Sequence, residues 1–270
     1  MDRFSIELPG GSPPSLGGLA ERSSWRDGND NVCARVYRTA GTRLIDWSSL
    51  GLFAIQDGSS LIRAWPYPES SSAAVAAHAR ERLQPLLLQT RRCQVLHASA
   101  VVIDSAAIAI AGVSGSGKST LAFALFRRGH RQVADDAVVI DANGRPARVL
   151  HLPFRPQLHD GARALSPAPP AAVEAADESS PLCAVVLLGR TALEGDYSLE
   201  RISGTSACIS LMMHAHVFDE EDRDGRHSLV GDYARLADEV PIFRLTFYPR
   251  FEDLSLLTDA IEALGNRLHQ

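Results

Sequence analysis

Lysine is almost missing from this chain. Of its 27 basic residues among 270, one is a lysine, Lys118, and the others are arginines. Cysteine is also scarce. The four present, Cys33, Cys93, Cys183 and Cys208, show no C-x-x-C pairing, which excludes a zinc-ribbon site and argues against a disulfide framework. They read as thiols of a reducing compartment. No apolar run is long enough to span a bilayer, and the N-terminal stretch MDRFSIELPG lacks a basic segment followed by an apolar one. A surplus of positive charge is absent too: the net charge is −5 and the sequence pI about 6.0, so no nucleic-acid surface is indicated. The expectation from these absences is a cytoplasmic protein without a nucleic-acid or membrane partner. Hydrophobic content of 45% supports a packed core, and 270 residues suit one large domain or a small one with a medium one. No internal repeat is visible.

The solitary lysine sits in the most informative stretch of the chain. Gly112–Thr120 reads Gly-Val-Ser-Gly-Ser-Gly-Lys-Ser-Thr, a complete G-x-x-x-x-G-K-[ST] phosphate-binding loop. An apolar strand-like run, Ala106–Ala111, leads in. A helical pattern, Leu121–Arg128, leads out and stops at Gly129. The chemistry calls for these residue types. Gly112, Gly115 and Gly117 let the backbone turn its N–H groups toward a phosphate, with Ser114 and Ser116 between them, and the helix N-terminus adds its dipole. Lys118 is placed to reach the β- and γ-phosphates and Ser119 to ligate magnesium, with Thr120 the last residue of the nucleotide-binding loop. A compact ammonium at this one position in an otherwise lysine-free chain points to a task that arginine does not perform.

The remaining pattern divides in two. Residues 9–30 are rich in Pro, Gly and Ser and read as a loose N-terminal segment. Short strand patterns follow at Val32–Tyr37, Leu44–Trp47, Gly51–Gln56 and Leu61–Trp65, then a helical stretch over Ala73–Leu88. Residues 1–90 are therefore expected to form a small β-rich region with a linker helix. From residue 91 to 270 strands and helices interleave. Strands are expected at Val95–Ile103, Ala106–Ala111, Arg131–Asp135, Ala137–Ile140, Val149–Leu152, Leu182–Leu188, Tyr197–Ile202 and Ile242–Tyr248. Helices are expected at Thr205–His216, Tyr233–Glu239 and Phe251–Leu268, and a long loop over Leu158–Glu178. The fold class is α/β: a mixed-sheet phosphate-loop kinase core preceded by a small β-rich domain.

Asp135 and Asp136 end an apolar strand one helix after the loop. Adjacent carboxylates on a strand end point in different directions, so one can hold a metal while the other orients or deprotonates a hydroxyl. His97 lies one strand before the loop. On spacing alone it is either a core histidine or a group of the site.

Three pieces, His97 in HASAV, the loop GVSGSGKST, and RRGHRQVADDAVVI, resemble the catalytic core of HPr kinase/phosphorylase over residues 93–141. The resemblance implies a phosphoenolpyruvate-carboxykinase-like core that binds ATP and Mg2+ and phosphorylates a serine hydroxyl. It implies Asp135 as catalytic base, Asp136 as its partner near the metal, and His97 as the active-site histidine. The β-rich start, HASAV, the loop and VPIFRLTFYP (Val240–Pro249) are also similar to HPr-kinase-like proteins encoded with lasso-peptide precursors. That likeness implies a precursor peptide phosphorylated on a serine at or near its C-terminus. One departure stands out. Where HPr kinase/phosphorylase has a signature near E-x-R-G-x-G, this chain reads HLPFRPQL (His151–Leu158). A second metal site and a reverse phosphorylase reaction are accordingly not supported. Arg155 is left as a contact to a phosphate or a peptide carboxylate, or as a surface arginine. Arg244 and Arg250 are weaker candidates of the same kind.

His214 and His216, two apart on an expected helix, would not share a face. The acidic run Asp219–Asp224 lacks calcium-loop spacing and reads as a solvated loop. Trp25, Trp47 and Trp65 are better explained by packing than by binding. The functional expectation is an ATP-dependent serine kinase acting on a peptide or small protein, possible as a homo-oligomer. The alternatives are a kinase of a small-metabolite hydroxyl and a non-catalytic nucleotide-binding regulator.

Overall fold

The computed structural model describes residues 4–26, 29–156, 173, 178–195, 197–216 and 223–269. The chain divides into two compact units, Met1–Arg92 with Val217–Arg226, and Cys93–His216 with His227–Gln270.

The first unit is a six-stranded sheet built from β1 (Ser5–Glu7), β2 (Glu21–Arg26), β3 (Val32–Thr39), β4 (Thr42–Trp47), β5 (Gly51–Gln56) and β6 (Leu61–Pro66), in the order β1-β6-β5-β4-β3-β2. β1 joins β6 in parallel and the other pairings are antiparallel. Strand β2 lies in the segment that the sequence suggests is loose. Its polar run ERSSWR has no apolar alternation to betray it, and it is held by pairing with β3 at the sheet edge.

The expected single helix over Ala73–Leu88 is three pieces: α1 (Ser72–His78), a π-helical turn (Ala79–Leu83) and α2 (Gln84–Thr90). The cause is Pro85, which has no N–H and whose ring crowds the preceding carbonyl, so the ladder widens just before it. The wider turn has a packing consequence. Val75, Ala79, Leu83 and Leu87, each four apart, stay on one face and are all buried against Val36, Ile45, Phe53 and Ile62 of the sheet. Trp25 and Trp47 pack on this core, edge to face at 5.8 Å. Trp47 also lies 4.0 Å from His78, whose pKa burial lowers to about 4.

Among the described residues the second unit holds nine strands: β7 (Gln94–Leu96), β8 (Ala98–Ile103), β9 (Ala106–Ala111), β10 (Arg131–Ala134), β11 (Val138–Asp141), β12 (Arg148–Leu150), β13 (Ser179–Arg190), β14 (Ser198–Ile202) and β15 (Ile242–Phe247). Their order is β10-β8-β9-β13-β12-β11-β7, with β15 between β13 and β14. Strands β9, β13 and β15 run parallel, the remainder antiparallel, so the class is α/β with mixed sheets. The expected strand Val95–Ile103 breaks at His97. β7 pairs with β11 and β8 pairs with β9 and β10, so the chain changes partners at the histidine.

Both faces of the central strands are covered. Ile108 and Ile110 of β9 meet Leu121 and Leu125 of α3 (Lys118–Arg127) and Ile261 of α6 (Leu254–His269). Ala107, Ala109 and Ala111 lie in the opposite cluster with Leu211 of α4 (Gly204–Met212) and with Tyr233 and Leu236 of α5 (Arg223–Glu239). The alternation of isoleucine and alanine in β9 therefore separates a large-residue face from a small-residue face, both buried. Helix α5 is longer than the Tyr233–Glu239 pattern suggests, and α4 ends at Met212, not at His216. Of the expected loop Leu158–Glu178 only Val173, bridged to Phe154, and Glu178 are described. Residues 219–222 of the acidic run lie outside the described residues.

Edge strand β7 is held by a buried phenol. Tyr233, 1% exposed, accepts a hydrogen bond from Val95 N at 3.2 Å and donates to Val95 O at 2.8 Å. Burial pushes its pKa up, which keeps it a donor. We predict that Tyr233→Phe lowers stability by about 1–3 kcal/mol through the orphaned backbone amide. A urea titration checks this: the midpoint should fall at unchanged slope, and an unchanged midpoint would show that the phenol contributes only bulk.

Candidate active site

The loop after β9 is shaped by two glycines in the left-handed region, Gly115 (φ 75°) and Gly117 (φ 107°), and α3 begins directly at Lys118. Ser116 N donates to Val113 O at 3.0 Å and tightens the turn. Gly112 is required for a different reason. A Cβ there would stand 2.6 Å from Ser116 Oγ and 3.2 Å from both Cβ and O of Leu188 on β13. The loop therefore lies flat on the neighbouring strand. Ser116 is 2% exposed, and among the described residues its buried hydroxyl has no hydrogen-bond partner. An unsatisfied polar atom inside a cradle of this kind fits a site shaped for a ligand more than one shaped for packing.

Lys118 is almost wholly buried. Its ammonium donates to Gly112 O at 3.0 Å, to Val113 O at 3.2 Å and to Nε2 of His97 at 3.0 Å. Burial lowers its pKa, and the carboxylates of Asp136 and Asp135 oppose that shift. Because Nε2 of His97 accepts from the ammonium, the imidazole proton belongs on Nδ1. That nitrogen faces Asp136, at 3.1 Å from its carbonyl oxygen and 3.3 Å from Oδ1. Lys118, His97 and Asp136 form one line of hydrogen bonds.

The neighbouring acid belongs to a second, deeper cluster. Asp135 is 5% exposed, and its Oδ1 accepts from Ser119 Oγ at 2.8 Å and from Ser99 Oγ at 2.6 Å. Asp136 takes a left-handed backbone (φ 70°), which turns its side chain away from that of Asp135, leaves it 38% exposed, and brings it into the lining of the cleft. Strain at a non-glycine residue costs on the order of 1 kcal/mol and persists where surroundings enforce it. Here the enforcement is visible: the Asp136 carbonyl faces both His97 Nδ1 and, at 3.3 Å, His216 Nε2.

The sequence-derived residues Gly112, Ser114, Gly115, Ser116, Gly117, Lys118, Ser119 and Thr120, with His97, Asp135 and Asp136, are thus brought together. Arg155 is not. It is exposed and is not among the residues lining the cleft. Arg244 is exposed on β15, whereas Arg250 lines the cleft.

Three residues are additions. Ser99 could have been found from its i, i+2 spacing to His97. Arg190, at the end of β13, carried no signal. His216 was hidden by the helical pattern over Thr205–His216. After Met212 the chain extends beside β7 instead: His97 N donates to His214 O at 2.7 Å and His216 N to Val95 O at 2.8 Å. Pairing with a strand edge overrides helix propensity there. His214 is consequently close to Lys118 and His97, and burial first, then these neighbours, lower its pKa.

A magnesium ion fits this donor set. Mg2+ takes one or two carboxylates, a hydroxyl, waters and phosphate oxygens, and does not require an all-protein cage. Asp135 and Ser119, 2.8 Å apart beside the phosphate loop, are the oxygens that would hold it.

Residues 89–150 match the family described as HPr Serine kinase C-terminal domain. The HPr kinase/phosphorylase of Chlorobium phaeobacteroides (strain BS1) is 49% identical over 51 residues, 19% of this chain and 15% of that protein. That of Prosthecochloris aestuarii (strain DSM 271 / SK 413) is 46% identical over 56 residues, 21% of this chain and 16% of that protein. Both matches thus span less than a fifth of the relatives' length. The solved structure of the HPr(Ser) kinase/phosphatase from Coxiella burnetii superposes with a TM-score of 0.35 at 15% identity, covering 66% of this chain and 99% of that one. The family match over residues 89–150 contains His97, Ser99, the whole phosphate loop and both aspartates.

We predict that Gly112→Ala drives the loop off Leu188, costing about 1–3 kcal/mol of stability, as overpacking does. It should also weaken binding of inorganic tripolyphosphate, used as a probe of the loop, on the order of tenfold by calorimetric titration. Wild-type affinity would mean that the loop does not need its contact with β13.

Proposed function

We propose that this chain is an ATP- and Mg2+-dependent kinase that phosphorylates a serine hydroxyl of a peptide or small protein. The observation that carries the reading is the pair of carboxylates in unlike surroundings: buried Asp135 bonded to Ser119 of the phosphate loop, and solvent-accessible Asp136 bonded to His97 at the cleft. A nucleotide sensor needs the first arrangement. The second is of use to an enzyme that activates a hydroxyl or a water against the γ-phosphate. The match of residues 89–150 to the HPr Serine kinase C-terminal domain supports the same class.

In this reading the roles of the two acids exchange relative to the expectation from sequence. Asp135, tied to Ser119, is the metal-side acid. Asp136 is the base, because a base must be reached by the incoming hydroxyl and Asp135 is covered by Ser99 and Ser119. Bound magnesium supplies charge neutralisation of the β- and γ-phosphates. The loop amides and Lys118 hold those phosphates in place. Asp136 takes the proton of the substrate serine, His97 lies against that carboxylate while both His97 and His216 hold the Asp136 carbonyl, and the serine oxygen attacks the γ-phosphorus. The bond from the γ-phosphorus to the β–γ bridging oxygen breaks, leaving phosphoserine and ADP. Lys118 exchanges its own loop carbonyls for phosphate oxygens as the nucleotide enters, which restores charge pairing to a partly desolvated ammonium.

The substrate that the sequence resemblance suggests is a lasso-peptide precursor with a serine at or near its C-terminus. The compact units Met1–Arg92 with Val217–Arg226, and Cys93–His216 with His227–Gln270, support a β-rich domain built mainly from the N-terminal residues and a separate catalytic domain. Among the described residues no helix is long and apolar enough to cross a membrane.

The test is mass spectrometry of a C-terminal-serine precursor peptide incubated with enzyme, ATP and Mg2+. We expect one added phosphate on that serine, loss of transfer by at least about a thousandfold in Lys118→Ala, and arrest by EDTA that excess Mg2+ reverses. Transfer only to a small metabolite, or none to any hydroxyl while ATP still binds, would replace the peptide-kinase reading.

A further inference from the structure

The cleft of about 610 Å³ does not end at the phosphate loop. It continues past the loop to a wall of Arg190, Phe247, Arg250, Phe251, Leu254 and Leu257. Topology explains the juxtaposition. Strands β9, β13 and β15 are parallel neighbours, with Leu187 opposite Ala111 and Arg190 opposite Phe247, so their C-terminal ends open on one edge. Ligands of open α/β sheets bind in the crevice beyond such ends. The turn from β15 into α6 then delivers Phe251 and Leu254 to the same crevice.

The chemistry of the two ends differs. The loop end offers backbone amides, an ammonium and hydroxyls, which suit a polyphosphate. The far end offers an aromatic side chain that is 47% exposed, Phe251, with Phe247 and Leu254 beside it, and a polyphosphate gains nothing from such a surface. Two arginines flank the apolar wall. The guanidinium of Arg250 lies 5.1 Å from the Tyr248 ring centroid and within 3.6 Å of Glu194, which holds it at the rim. A ligand with a charged tail and a flat, weakly polar head matches both ends at once.

We infer that Phe251, with Phe247 and Leu254, forms the seat of the nucleotide's purine base, while Arg190 and Arg250 line its flank. This rests on the reading of Gly112–Thr120 as the phosphate cradle. The seat binds by stacking and apolar contact, which every base can satisfy, so it adds affinity more than it selects one purine.

The test compares two probes, ATP and inorganic tripolyphosphate, both with Mg2+, by calorimetric titration of the full chain. Wild type should bind ATP at least about tenfold more tightly than tripolyphosphate. Phe251→Ala should remove most of that advantage and leave tripolyphosphate within about twofold of wild type, and Phe251→Tyr should restore it. Because Phe251 is half-exposed, its truncation leaves the core intact. If wild type binds the two probes equally, or Phe251→Ala weakens both or neither, the base seat is wrong while the phosphate cradle stands. If neither probe binds wild type, the cradle fails and the inference falls with it.

Discussion

The hydrogen bond from Ser119 Oγ to Asp135 Oδ1 is the contact on which the rest of the site depends. It joins the first turn of α3 to the end of β10, two elements that approach each other only because β10 pairs with β8 and β8 with β9. Ser99 on β8 closes the arrangement from below with a second bond to the same oxygen. A buried carboxylate with two hydroxyl donors is fixed in place, since rotating it would leave charge unpaired in a poorly solvated site. With Asp135 fixed, the direction of its neighbour is decided as well. The chain must turn through a left-handed residue at Asp136, and the carbonyl and carboxylate of that residue then meet His97 and His216.

Two adjacent identical residues thus stand in different surroundings. Asp135 lies in a covered pocket with hydroxyl donors, the surroundings of a metal-side acid. Asp136 lies at the cleft beside an imidazole that is itself hydrogen-bonded to the one lysine of the chain, the surroundings of a base. The solitary lysine becomes intelligible in the same terms. Its ammonium fits among two loop carbonyls and a ring nitrogen, a compact set of three acceptors that the planar fork of arginine does not match.

Much of this was legible in the sequence, and the failures are specific. The phosphate loop, its flanking strand and helix, the core of β13 and the amphipathic face of α6 all follow from local pattern, because each element is long, apolar and bounded by glycine or charge. The two aspartates and His97 were legible as a group. Which of the two meets the serine of the loop was not, since a strand-end pair has no local signal for it. Strand β2 escaped because edge pairing, not apolar alternation, holds it. The broken helix before Thr90 could have been read from Pro85. His216 could not, because its helical pattern is overridden by pairing with β7, a contact from more than a hundred residues away in sequence. Arg190 and the Phe251 wall likewise depend on which strand ends share an edge.

We propose that Asp135 serves the metal and Asp136 the reacting hydroxyl. The most direct measurement is the Mg2+ dependence of ATP binding, by calorimetric titration, in Asp135→Asn and Asp136→Asn. The account predicts that Asp135→Asn loses most of the gain in ATP affinity that Mg2+ confers, on the order of tenfold or more, while Asp136→Asn binds Mg2+-ATP nearly as wild type yet transfers no phosphate. The opposite pattern, with Mg2+-assisted binding lost in Asp136→Asn and kept in Asp135→Asn, would contradict it.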